Sequence, residues 1–207
     1  MNAITIHSAA GEPGNPIAQT ILDFIGHVPG TTETKSRAPE LRARVIARSA
    51  ARKAAAAAGG LALPPGPLGW LTIVPELIAV WKLQTQMVAD IAGIYGKQAD
   101  LTRENMIYCL FRHTAAQAVR DLVVRIGERF LVRKASARAF QTIARKIGVT
   151  VTQQAIGKGV SRWLPIVGAV GVGAYAYYDT GQVARTAIEL FQREMDIVPA
   201  SEVEVDG

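Results

Sequence analysis

Cys109 and His113 stand four residues apart, a spacing that puts a thiol and an imidazole on one face of a helix. That pair is the chain's nearest approach to a nucleophile with its base. No third group that would orient the imidazole is evident near them. A buried helix face that carries both residues without chemical purpose is the plainer reading. Of the remaining histidines, His7 lies in the N-terminal arm and His27 at the end of a short expected helix. Glu76 and Asp90 share a helical face but stand ~21 Å apart along a straight helix, too far for a carboxylate dyad. The chain has no phosphate-binding P-loop, no GxSxG elbow and no HExxH pair. The glycines between Gly168 and Gly173 follow no strand, so they are not a dinucleotide fingerprint. Potential metal ligands lack clustered spacing. The sequence therefore predicts a non-enzymatic protein with no cofactor and no metal. A helical enzyme built on Cys109 and His113 is the least favoured alternative.

Anion chemistry is better represented. Arg44, Arg48 and Arg52 recur every four residues, and Arg125, Arg129 and Arg133 repeat the pattern. Guanidinium groups bind phosphate bidentately, and basic helices gain about 1 kcal/mol per charge at an anionic membrane surface. The competing reading is a solvated helix face, or pairs with acidic neighbours such as Asp121 with Arg125. Trp70, Trp81, Trp163, Tyr175 and Tyr178 border apolar stretches, with Tyr95 and Tyr177 close by, as interfacial aromatics do. Core aromatics have the same signature. Nucleic acid ranks below lipid as a partner. Few aromatics accompany the arginines, and no zinc pattern, RNA-recognition motif or helix-turn-helix is present.

Two apolar segments must position these residues. Ala54–Pro75 carries no charge over 22 residues, the length of a membrane span. Pro64, Pro65, Pro67 and Pro75 interrupt it. Trp163–Tyr178 is charge-free over 16 residues and rich in glycine and alanine, which let another backbone come close. At 1.5 Å per residue it reaches only ~24 Å, short of a ~30 Å hydrocarbon layer. A packed helix pair entered through a proline elbow is favoured over a spanning helix. Around these segments the pattern predicts a helix over Glu40–Ala58 ending at Gly59–Gly60 and another over about Leu71–Gly96. The second has a narrow polar stripe at Glu76, Gln86, Asp90 and Lys97. A long helix over Leu101–Arg133 follows, capped by Asp100 or Thr102. Helices on either side of Gly148 come next, and a last helix opens at Pro165 and runs to Met195. A short helix is also expected over Pro16–Val28, with a linker over Pro29–Pro39. No strand is expected. The fold class is all-α, a multi-helix bundle with the two apolar Gly/Pro-rich segments packed at its centre.

The net charge of +6 is unevenly spread. Residues 1–34 sum to −3, residues 35–162 to +14 and residues 163–207 to −5. Three regions are expected: an N-terminal arm with a short helix over 1–34, a helical domain over 35–195 and an acidic tail over 196–207. A basic middle attracts anionic lipid, nucleic acid or an acidic protein, or folds the acidic ends onto itself. Cys109 is the only cysteine, and the first residues lack the basic and apolar regions of a secretory signal, so a cytoplasmic residence is expected.

Two stretches, PPGPLGWLTIVPELIAVWKLQTQMVADIAGIYGK (Pro64–Lys97) and GVTVTQQAIGKGVSRWLPIVGAVGVGAYAYYDTGQVARTAIELF (Gly148–Phe191), resemble the EcsC protein family. The first is similar to the family's proline- and glycine-rich entry into a helix that carries a Gln, a Met, an Ile-Ala and a Tyr-Gly. The second resembles its Pro-x-x-Gly-Ala helix. The resemblance spans about Ala38–Phe191, and a related pattern occurs in a helical domain attached to some membrane-associated bacterial GTPases. It supplies no catalytic residues. Where the family's second motif often has an Asn, this chain has Tyr175–Ala176–Tyr177.

Together these features predict an accessory protein that associates peripherally with the inner face of a membrane or binds a lipophilic small molecule. Trp70, Trp81, Trp163, Tyr175 and Tyr178 would supply the apolar contact, and the two arginine sets the headgroup contact. The alternative is a soluble interaction scaffold or homo-oligomer.

Overall fold

A computed structural model describes residues 27–61, 73–158 and 165–198. Trp70 and Trp163, the expected helix over Pro16–Val28, and most of the proline elbow lie outside these residues.

Helix α1 (Pro39–Leu61) forms where alanine and arginine, the strongest helix formers, run together. Helix α2 (Ile73–Ile94) follows. It stops at Gly96, whose φ of 71° is open to glycine at little cost. The amides of Gly96 and Lys97 bond back to the carbonyls of Gly93 and Ala92, a Schellman ending. Thr102 then caps α3 (Arg103–Phe111), its side chain accepting the Asn105 amide.

The helix expected over Leu101–Arg133 ends at Phe111. A turn and a one-turn helix α4 (Ala116–Val119) lead into a hairpin of β1 (Val123–Ile126) and β2 (Arg129–Arg133). VVRI and RFLVR are rich in β-branched and aromatic residues. Gly127, at φ 59°, opens the two-residue turn between them, where a hairpin turn with glycine first fits the strand twist. The interior faces of Phe130 and Val132 alternate with Arg129, Leu131 and Arg133, so the period is that of a strand.

Helix α5 (Ala137–Lys158) continues through the buried Gly148 rather than breaking there. Helix α6 (Pro165–Phe191) opens at Pro165, as its preset φ favours, and ends before Met195. Glu194–Val198 form β3, which lies parallel to β2 with Phe130 opposite Met195. The chain is thus mostly helical with a three-stranded sheet in the order β1-β2-β3, and the all-α expectation is corrected. The start of the acidic tail is built into that sheet.

The main core gathers Met87, Ile91 and Ile94 of α2, Ile107 of α3, Phe130 of β2, Ile147 of α5 and Leu190 of α6. A smaller cluster of Ala54, Ala58, Val80 and Ala176 joins α1, α2 and α6 at their other ends. Helix α1 runs antiparallel to α6. Its start meets the end of α6 through Glu40 and Gln192, and its end meets the beginning of α6 at Gly173. Where they are described, the two apolar segments touch through α1 and α6, with Gly173 against Ala55 and with Ala54, Ala58 and Ala176 in the smaller cluster. Val170, Tyr177 and Tyr178 on α6 are exposed, and the deepest burial belongs to the sheet end of the molecule.

The segment expected to be a linker is a strap across α2. Thr31 donates to Asp90 at 2.6 Å, and Gln86 donates to the Gly30 carbonyl and to Asp90. Gln86 and Asp90 of the polar stripe thus hold this strap. Gly93 makes room for it, since a Cβ there would stand 2.8 Å from the Glu33 carbonyl.

Candidate functional site

The face of α1 that turns toward α6 carries alanine every turn, Ala47, Ala51 and Ala55, with Arg44 and Arg48 on its flank. Helix α6 answers with Gly181, Ala184 and Ile188, flanked by Arg185. Small residues on both sides leave a groove of about 520 Å³ along the helix pair. Its floor is aliphatic and its rim is basic, with Arg193 at the far end and Tyr177 at the near end.

The charges of this groove are not cancelled. Glu189 lines it too, but Arg112 holds that carboxylate at 2.7 Å while lying over the Tyr108 ring. Arg193 pairs with Glu128. Arg44, Arg48 and Arg185 have no acidic partner among the described residues, and all three are exposed. Arg52 continues the ridge, exposed and likewise without an acidic partner among the described residues.

Tyr177 also lines a second groove, of about 620 Å³, that continues toward the other end of α1. Ala55, Ala56, Gly59 and Gly60 form one wall; Val170, Gly173 and Ala174 form the other. This stretch has no charged lining. Val170 is 67 % exposed beside this apolar wall. A basic trough therefore passes into an apolar one at a single tyrosine.

The second arginine set is arranged differently. Arg125, Arg129 and Arg133 sit on the hairpin, not on one ridge of a helix. Arg125 lies 3.8 Å from Glu128, and Arg129 pairs with Glu194 and Asp196 of β3. Asp121 faces Arg120 rather than Arg125. Glu128 thus faces Arg125, the β3 carboxylates engage Arg129, and Arg133 has no acidic partner among the described residues. Among the aromatics, Trp81 is buried edge-on to Phe111 at 5.5 Å, which removes it from any surface contact. Tyr175 and Tyr178 are exposed on α6.

Cys109 and His113 do not act together. Cys109 is fully buried, and burial pushes its thiol well above the usual range, only partly opposed by Arg112. His113 turns instead to Asp179, with Nε2 2.7 Å from the carboxylate. Asp179 is a hub: Gln84 donates to its other oxygen at 2.7 Å and also to Thr180 at 3.2 Å. Tyr175 is bonded to it as well. Burial, then the Asp179 charge and hydrogen bond, push the Tyr175 phenol up to about 12. This polar knot ties α2, the turn after α3 and α6 together. The sequence signals for it were a lone Gln84 on a buried helix face and a carboxylate directly after an apolar run.

No described helix is long and apolar enough to cross a membrane, and no group of three or more His, Cys, Asp or Glu among the described residues could hold a metal ion. A family model described as the EcsC protein family matches residues 39–194. The chain belongs to the EcsC protein family. The match takes in α1 through α6 and the hairpin, and it ends on the first residue of β3. Both walls of the two grooves are therefore part of the EcsC region. No curated protein and no solved structure matches the chain.

Proposed function

We propose that this EcsC-family protein is a non-enzymatic accessory protein that docks peripherally on an anionic membrane surface through the exposed sides of α1 and α6. One observation supports the reading above others. Arg44, Arg48 and Arg185, without an acidic partner among the described residues, rim a groove that continues into an exposed apolar trough. A basic rim beside uncovered valine and tyrosine matches the headgroup and acyl layers of a membrane, which present both chemistries side by side. The inner face of the membrane, with its anionic lipids, suits the charge.

Vesicle co-sedimentation tests the reading. The protein is expected to pellet with vesicles containing acidic phospholipid and not with phosphatidylcholine alone. Salt should weaken the interaction, because exposed charges are screened over ~8 Å at physiological ionic strength. Failure to pellet with acidic vesicles at low salt would contradict it.

A further inference from the structure

The two grooves meet at Tyr177 and present opposite chemistries in a fixed order. From this geometry we infer that they form one binding site for a single acidic phospholipid, its phosphate between Arg48 and Arg185 and an acyl chain along the trough beyond Tyr177. The inference rests on the membrane reading above and deepens it by naming the ligand and its pose.

Three features carry it. The first is charge: two helices each contribute to the same groove a guanidinium without an acidic partner among the described residues, a convergence that favours one phosphate over dispersed counterions. Glu189, which also lines the groove, is engaged by Arg112 through one carboxylate oxygen. The second is length. From Ala55 to Gly60 the α1 wall of the trough runs ~7.5 Å at 1.5 Å per residue. That is half of the ~15 Å hydrocarbon depth of one leaflet, enough for the headgroup-proximal part of an acyl chain. The third is the lining. Gly173 approaches Ala55 so closely that a Cβ on it would stand 3.0 Å from the Ala55 carbonyl. That contact, with Ala56, Gly59 and Ala174, keeps the trough free of long side chains and open to a flexible chain. Tyr177 lies at the junction, where an amphipathic ring matches a headgroup–chain boundary.

A soluble short-chain acidic lipid, dihexanoyl phosphatidylglycerol kept below its micelle-forming concentration, separates the site from general membrane attraction. Calorimetric titration of the full chain should show one lipid bound per chain. Arg48→Ala and Ala174→Glu should each weaken binding at least tenfold; both positions are exposed, and unchanged circular dichroism would verify folding. Dihexanoyl phosphatidylcholine and inorganic phosphate should bind at least tenfold more weakly than the acidic lipid. Inorganic phosphate binding as well as the lipid would overturn the inference, because the trough would then contribute nothing. So would equal lipid binding by Ala174→Glu and the unaltered chain. If acidic vesicles bind but the short-chain lipid does not, the single-lipid site falls and the peripheral reading stands. If neither binds, both fall.

Discussion

A Cβ placed on Gly173 would meet the backbone carbonyl of Ala55 at 3.0 Å. Helices α1 and α6 are thus in backbone contact at that level, and the groove they enclose exists because neither wall carries bulk. Gly173→Val should destabilise the fold by about 1–3 kcal/mol, since the obstructing atom is backbone and cannot swing away. Gly181, mid-helix with nothing within 4 Å of its virtual Cβ, behaves oppositely. Gly181→Ala should stabilise by about 0.5–1 kcal/mol through helix propensity alone. Urea unfolding of both variants checks the pair, and a like sign for the two would refute the packing argument.

The Asp179 knot is the main polar element of an otherwise apolar helix layer. Gln84 is 1 % exposed and donates to both Asp179 and Thr180. Gln84→Ala should cost about 1–3 kcal/mol, because it leaves a partly buried carboxylate short of a donor. Chemical denaturation is the measurement; a loss well under the lower figure would mean that water replaces the amide freely.

Tyr175 supplies a pH signature. Its phenol is expected to ionise at about 12, against about 10 for an unperturbed tyrosine. The sign follows from linkage. A raised folded-state value stabilises the protein fully below about pH 10, and the contribution disappears as pH rises toward 12. The ultraviolet titration of the unaltered chain minus that of Tyr175→Phe should show one phenol ionising near 12. A difference curve centred on the unperturbed value would contradict the contact with Asp179.

Cys109 should resist thiol reagents in the folded protein and react at once in denaturant. It is completely buried, and burial disfavours the reactive thiolate. Stoichiometric labelling under native conditions would require an opening of the core at α3, and would reopen the question of a thiol chemistry.

The helices were legible where one period dominated. The start of α1, the glycine stop of α2, the Thr102 cap and the Pro165 start follow directly from local chemistry, whereas α1 runs through Gly59–Gly60, expected as its stop, to Leu61. The hairpin was hidden by its own arginines. Residues 125, 129 and 133 satisfy a helical spacing of four, but the same numbers fit strands joined across a two-residue turn. The stronger signals were VVRI and RFLVR around Gly127–Glu128. A Gly-Glu turn between β-branched runs outranks a charge ladder, because charges on a surface impose no period on the backbone. Likewise Gly148 is a helix breaker only in isolation; buried in α5 it is a packing residue. Of the groove lining, the sequence reading names Arg44 and Arg48; Arg52, Tyr175 and Tyr178, which it also names, line neither groove. Arg185 and Tyr177 become partners of Arg48 only once α1 and α6 lie antiparallel, a tertiary fact with no local trace. Trp81 borders an apolar stretch in sequence yet is buried in the fold, because burial, not sequence position, decides between core and interface.

The most direct test of the central claim compares two double variants that lower the net charge equally. Arg44→Ala/Arg48→Ala opens the groove rim, while Arg125→Ala/Arg129→Ala removes arginines that already face Glu128, Glu194 and Asp196. In sedimentation with acidic vesicles at low salt, the first should lose about 2 kcal/mol of binding, roughly thirtyfold, at about 1 kcal/mol per charge. The second should lose less than threefold, because an exposed pair that is already satisfied has little attraction to give. Equal losses in the two variants would show that net charge alone draws the protein to the membrane, and would contradict a docking face built on α1 and α6.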